Sequence, residues 1–194
     1  MNTTAYNKNV KLIFTSVLVV AIASILLPLL GLLGGVQSVA NDVGAGSGSF
    51  YIVLNFIFNL ILLAAVCLFA YGLMQLKEVV DGEAKSPVNI LFIGAAIAAV
   101  SAILGFFHLG IVSGLVGIAV AIVYVVGYNK LKVANGIPEN AKAGANLCFV
   151  AAILILVGAV IGLIPVLGAI LNFLIAIAAN ILLILGWKKA VIAE

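Results

Sequence analysis

Four long stretches without a charged side chain constrain this chain more than any other feature. They cover residues 12–35, 50–76, 88–128 and 143–187. One bilayer crossing needs about 20 predominantly apolar residues, so each stretch can cross at least once and the last two can cross twice. Apolar residues make up 66% of the chain and charged residues 8%, whereas about a quarter of an ordinary globular chain is charged. The sequence therefore predicts an all-α integral membrane protein.

The two longest stretches each contain an internal break. The third is interrupted by glycines at Gly105 and Gly110, and the fourth by Gly162, Pro165 and Gly168. Glycine and proline are typical of turns, so each stretch is expected to form a helical hairpin of two short spans. The predicted helices then cover residues 11–35, 50–76, 88–106, 110–128, 145–163 and 168–187.

All nine basic residues are lysines. The absence of arginine argues against a nucleic-acid partner, because phosphate and base recognition rely on arginine. The lysines fall in the N-terminal segment, the second loop, the fourth loop and the C-terminal segment, at positions 8, 11, 77, 85, 130, 132, 142, 188 and 189. By the positive-inside rule, we expect these segments in the cytoplasm, with both termini on the inner face of a prokaryotic cytoplasmic membrane.

Short echoes along the chain predict an internal repeat. Related quartets open the first, third and fifth helices, and a glycine followed by lysines closes the second, fourth and sixth. Pro-x-x-Gly occurs at 28–31 and 165–168 and is expected at hairpin tips. We interpret residues 1–194 as a single transmembrane domain of three tandem parallel hairpins with one insertion. The hairpins cover about 11–76, 88–128 and 145–187, and the insertion covers about 37–49.

The predicted spans are poor in groups that perform chemistry. Apart from Lys11 at the first boundary, they contain no Asp, Glu, Lys or Arg, the usual marks of ion paths and proton relays. Motifs for metal, phosphate or nucleophile sites do not occur. Cys67 and Cys148 fall in apolar stretches and are expected to be packing residues. The sequence thus predicts a non-enzymatic protein with no metal or cofactor.

Asparagines are the main polar groups at membrane depth. Asn55 and Asn59 are four residues apart on the second helix, while Asn172 and Asn180 lie on the sixth. Because unpaired amides are costly in lipid, we expect all four to point into the bundle. They then serve either as interhelical hydrogen-bonding groups or as a polar ligand site or pore lining between the second and sixth helices.

Two further features have two interpretations each, and a third has one. His108, in a predicted loop, is either a pH-sensitive group or a solvated interfacial residue. The glycine pairs Gly110 and Gly114, and Gly158 and Gly162, allow close helix approach, either within the bundle or against another membrane subunit. Most of the aromatic residues near the span ends are expected to form interfacial belts; these are Phe50, Tyr51, Tyr71, Tyr124, Tyr128 and Trp187.

The tandem hairpins, with Pro-x-x-Gly tips and the closing motifs Gly127-Tyr128-Asn129-Lys130 and Gly186-Trp187-Lys188-Lys189, resemble prokaryotic multi-pass families of unknown function. They loosely resemble the HdeD-type acid-resistance membrane proteins. No functional residue is transferred from these families. We expect a structural or accessory subunit that packs in the lipid bilayer against a membrane protein partner or as a homo-oligomer. The alternative is a small-molecule transport component, such as the substrate-binding membrane subunit of a vitamin uptake system.

Overall fold

The computed structural model describes residues 2–41, 48–106, 110–162, 164 and 167–191. The described chain is helical apart from short connections. Its elements are α1 (Thr3–Asn41), α2 (Gly48–Val79), a 3₁₀ turn (Gly82–Ala84), α3 (Lys85–Phe106), α4 (Gly110–Leu131), α5 (Glu139–Ile161) and α6 (Leu167–Ala190). Each α-helix contains a stretch long and apolar enough to cross a membrane. The prediction of an all-α membrane protein with six spans is confirmed.

The largest difference from the predicted elements is in α1. Pro28 lies inside this helix, which continues to Asn41, so the expected hairpin tip at 28–31 is wrong. The first residues of the expected insertion, 37–41, and its last two, 48–49, are also helical, and 42–47 lie outside the described residues. A turn at lipid depth would expose several backbone groups. A proline within a helix removes only one backbone donor, which membrane helices tolerate. Continuing the helix through Pro28 therefore leaves fewer unpaired backbone groups than a turn would.

The six helices are arranged as a ring. Each packs against the helices before and after it in the chain, and α6 packs against α1 to close the circle. Because every helix has two neighbours of this kind, each has one face toward the middle of the ring and one face toward its outside. The middle of the ring is therefore a place to which all six helices contribute side chains.

One end of the ring collects the lysine-bearing segments, here called the lysine-bearing end (residues 2–11, 77–85, 130–142 and 188–191). Tyr6, Leu76, Leu131, Ala141 and Ala190, from five different helices, line one small void there. All five are buried. This packing explains why the helices continue beyond the predicted spans, since their terminal turns still have apolar residues to bury.

Polar contacts join neighbouring helices at the lysine-bearing end. Lys77 Nζ donates to Asn89 Oδ1 at 2.7 Å, which joins α2 to α3. Lys132 Nζ lies 3.8 Å from the centre of the Phe149 ring, which joins the residue after α4 to α5. The connection between α2 and α3 contacts the connection between α4 and α5, because Asn135 Nδ2 donates to a Glu83 carboxylate oxygen at 3.1 Å.

Candidate functional site

A glycine near the end of each even-numbered helix lies against the odd-numbered helix before it. A β-carbon built on these glycines would lie 2.5 to 2.7 Å from a neighbouring side chain, closer than real β-carbons approach. The pairs are Gly72 with Ile13, Gly127 with Leu91, and Gly186 with Cys148. Small residues that let helices approach in this way are typical of membrane bundles. The three helix pairs therefore meet at corresponding positions.

The same spacing positions the side chains around these contacts. The residue after each glycine is almost completely buried; these residues are Leu73, Tyr128 and Trp187. The residue three positions before each glycine lines a central cavity; these residues are Phe69, Tyr124 and Leu183. On the odd-numbered helices, the residue seven positions after each glycine's partner also lines it; these residues are Val20, Ala98 and Ile155.

The central cavity has a volume of about 300 Å³ and receives side chains from all six helices. Small-molecule sites span roughly 300–1,000 Å³, so the space suits a compact ligand. Its lining is aliphatic and aromatic except for Ser24, Asn180 and two tyrosine hydroxyls. No charged side chain is among the described lining residues, which are Val17, Val20, Ser24, Val66, Phe69, Ala98, Tyr124, Tyr128, Ala152, Ile155, Ala176, Asn180 and Leu183.

Four aromatic residues, here called the aromatic cluster (Phe69, Tyr124, Tyr128 and Trp187), form a closed set of ring contacts between the cavity and the lysine-bearing end. Phe69 contacts Tyr124 and Trp187 edge to face, with ring centroids 6.3 and 6.2 Å apart. Tyr128 contacts Tyr124 and Trp187 at 6.2 and 6.3 Å. Trp187 Nε1 donates to Tyr128 Oη at 3.1 Å, so the indole donor is satisfied inside the bundle.

The aromatic cluster differs from the expected interfacial belts. Tyr128 and Trp187 are 2% and 4% exposed, and Tyr124 lines the cavity. Tyr71 is 50% exposed and is the described aromatic residue that fits the belt prediction best. The useful signal in the sequence is the closing glycine, because counting from it places these aromatic residues on the inner face of their helices.

Asn180 is the buried carboxamide of the cavity, at 9% exposure. Its Nδ2 donates to Ser24 Oγ at 2.9 Å, which joins α6 to α1. Ser24 uses its own hydrogen to donate to the Ala21 carbonyl at 3.0 Å. In this arrangement the Ser24 hydroxyl donates along α1 and its oxygen accepts from the carboxamide. Asn180 Oδ1 accepts no hydrogen bond from the described part of the chain.

The other three asparagines lie elsewhere. Asn55 is exposed on α2. Asn59 Nδ2 donates to the backbone carbonyl oxygen of Asn55 at 2.8 Å and to the side-chain Oδ1 of Asn55 at 3.0 Å. These bonds run along one helix, and neither side chain lines the central cavity, although both were expected to point into the bundle. The Asn172 carboxamide lies against Gly158 and Gly162, where added β-carbons would be 2.6 and 3.2 Å away. The structure thus does not bring the four together.

The remaining candidate residues lie apart from one another and do not form a site. Gly158 and Gly162 form a contact within the chain, while a β-carbon on Gly114 would meet no described atom within 4 Å. His108 and the surroundings of Gly110 lie outside the described residues. Both cysteines are free; Cys67 is exposed and Cys148 is buried. The described residues contain no group of three or more His, Cys, Asp or Glu arranged to hold a metal ion.

Comparison of the chain with protein-family models, curated proteins and solved structures finds no match. The central cavity is the one described region in which all six helices, a cluster of aromatic rings and a buried polar group with an unused acceptor come together. It is therefore the candidate functional site.

Proposed function

We propose that this protein binds a small apolar molecule in its central cavity and serves as a non-enzymatic component of small-molecule transport. The observation that supports the proposal is the cavity of about 300 Å³. Protein interiors contain few voids larger than a water molecule. Empty space among packed side chains costs stability in proportion to its volume, so we expect the space to be filled.

The chemistry of the lining indicates the kind of molecule. A charged ligand would be buried without a counter-charge, which is strongly unfavourable, because the described lining residues carry no charge. Aliphatic side chains such as Val20 and Ile155, together with the aromatic rings, favour a compact hydrocarbon body. This requirement differs from the polar ligand site that the asparagines suggested between the second and sixth helices.

The proposal includes three tandem hairpins as the origin of the ring. The corresponding contacts of Gly72, Gly127 and Gly186 and the corresponding cavity positions support a repeat of α1–α2, α3–α4 and α5–α6. It also includes an orientation, since the positive-inside rule places the lysine-bearing end in the cytoplasm. The cavity then lies on the extracytoplasmic side of the aromatic cluster.

The test is binding of an apolar probe, 1-methyladamantane, to the purified protein in nanodiscs, followed by native mass spectrometry. Ala98 lines the cavity, whereas Ala96, two residues away on α3, is exposed. Ala98→Phe should fill the cavity and reduce probe binding at least tenfold. Ala96→Phe adds the same ring outside the cavity and should bind the probe like the unmodified protein.

Three results would contradict the proposed function. They are no probe binding to the unmodified protein, equal binding to the Ala98→Phe and Ala96→Phe variants, and occupation of the cavity by a lipid acyl chain that the probe does not displace. Small molecules that co-purify with the unmodified protein and are lost in Ala98→Phe would support it and would identify the natural ligand.

A further inference from the structure

The hydrogen-bonding groups of the cavity are unequally used. Tyr128 Oη accepts from Trp187, and Ser24 Oγ both accepts from Asn180 and donates to Ala21. Asn180 Oδ1 accepts nothing from the described residues, and the Tyr124 hydroxyl makes no hydrogen bond with them either. Leaving a buried acceptor unpaired is unfavourable, because the group has lost its hydrogen bonds to water. A ligand that donates a hydrogen bond would restore one.

A second feature on α1 is a backbone acceptor that lacks its usual donor. Pro28 lies within α1 and has no N–H, so it cannot make the usual helical hydrogen bond to the carbonyl of Ser24, four residues earlier. Ser24 also lines the cavity and is the hydrogen-bond partner of Asn180. This carbonyl of α1 therefore lacks its usual helical donor.

The repeat shows that this polar position is specific to one hairpin. Asn180 is six residues before Gly186, and the corresponding positions before Gly72 and Gly127 are Val66 and Ala121. Val66 lines the same cavity, and Ala121 is buried at 1% exposure. Two of the three corresponding positions are thus apolar. A ligand held by Asn180 would be bound in one orientation, with its polar group toward α1 and α6.

We infer that the ligand is a compact apolar alcohol whose single hydroxyl donates a hydrogen bond to Asn180 Oδ1. Its hydrocarbon body lies against the aliphatic wall and the aromatic cluster. This inference rests on the proposed function and specifies its ligand class. A lipid acyl chain would fill the same apolar space but has no donor, so preference for a hydroxyl distinguishes a free alcohol from a lipid tail.

Trp187 provides the measurement, since it is the single tryptophan of the chain. It contacts Phe69 and Tyr128, both of which line the cavity, so binding should change its fluorescence. The probes are 1-adamantanol and 1-methyladamantane, which have the same shape but differ in the donor. Each is titrated against the protein in identical nanodiscs, and the ratio of the two affinities is the quantity compared among variants.

The decisive variant is Asn180→Val, which introduces the residue found at the corresponding position 66. In the unmodified protein the affinity ratio should favour the alcohol, and Asn180→Val should lower that ratio about tenfold, as expected for loss of one hydrogen bond to a buried acceptor. Asn55→Leu removes an exposed asparagine and should leave the ratio unchanged. If the valine variant does not fold, Asn180→Ala tests whether Asn180 accepts the hydrogen bond of the alcohol. Alanine is the residue found at the corresponding position 121.

The possible failures can be told apart. If both probes bind the unmodified protein and Asn180→Val leaves their affinity ratio unchanged, the alcohol inference is overturned and the binding function stands. If neither probe binds, the proposed function itself fails. An equal fall of the ratio in Asn55→Leu would show that the effect is not specific to position 180 and would overturn the role of Asn180.

Discussion

At the residue scale, the four asparagines show what the sequence can and cannot predict. The cost of an unpaired amide in lipid predicts all four inside the bundle. Asn59 instead bonds Asn55 within α2, and Asn172 lies against two glycines at the end of α5. Asn180 alone among them both is buried and lines the cavity. Residue type predicts the need for partners, but the rotation of each helix decides which partners are reached.

A first prediction concerns Gly144, where α5 meets α6. A β-carbon at this position would overlap the backbone carbonyl of Gly186, which cannot rotate away as a side chain could. Gly144→Ala should therefore lower the free energy of unfolding by about 1–3 kcal/mol, the usual cost of an overpacked contact. Thermal unfolding in detergent measures the change.

Gly114→Ala is the matched control, because a β-carbon there would meet no described atom within 4 Å. Alanine favours a helix over glycine by up to about 1 kcal/mol, so this variant should be as stable as the unmodified protein or slightly more stable. An equal loss of stability in both variants would show that the close α5–α6 contact is absent.

At the element scale, the ends of the helices depend on contacts that a sequence does not display. The lysines mark where the lipid-embedded part ends, but α1 and α4 extend past the predicted spans because Tyr6 and Leu131 are buried in the bundle. Pro28 is typical of a turn and instead lies within a helix. Composition thus predicts the number of helices, while tertiary packing sets their ends.

A second prediction concerns Gly136, which holds the loop between α4 and α5 against the end of α2. Its φ is +96°, a conformation that favours glycine, and a β-carbon would overlap the backbone carbonyl of Asp81. Gly136→Ala should lower the thermal midpoint more than Gly82→Ala. Gly82 also has a positive φ, at 53°, but its β-carbon would meet no described atom within 4 Å.

Backbone strain alone accounts for the control, at about 1–2 kcal/mol for a left-handed residue with a side chain. The additional loss in Gly136→Ala reports the contact between the two loops at the lysine-bearing end. Identical midpoints for the two variants would mean that the loops do not meet in the membrane-embedded protein.

At the scale of the whole molecule, the closed ring is not predictable from the pattern of apolar residues. Helices that are apolar on all sides carry no polar face to identify the outside, because lipid and protein interior are similarly apolar. The informative residues are instead the closing glycines, whose spacing corresponds in the three helix pairs. From the sequence alone, the aromatic side chains beside these glycines resemble an interfacial belt. Counting from the glycines instead places them on the inner face of their helices.

A third prediction tests the orientation of the ring. Val133 lies in the loop between α4 and α5 and is 68% exposed, so a cysteine there can react with a maleimide. In a chain with Cys67→Ala and Cys148→Ala, Val133→Cys should react with an impermeant maleimide only after the cells are opened. Labelling in intact cells would place the lysine-bearing end outside the cytoplasm.

The central claim is that the six helices enclose a cavity that binds a compact apolar molecule. Crystals grown in lipid and soaked with 1-bromoadamantane would test it most directly, because bromine can be located by its anomalous scattering. We expect a bromine peak inside the ring, among Val20, Ala98 and Ile155 and next to the aromatic cluster. Bromine peaks only on the outer surface of the helices, with side chains filling the middle of the ring, would contradict the claim.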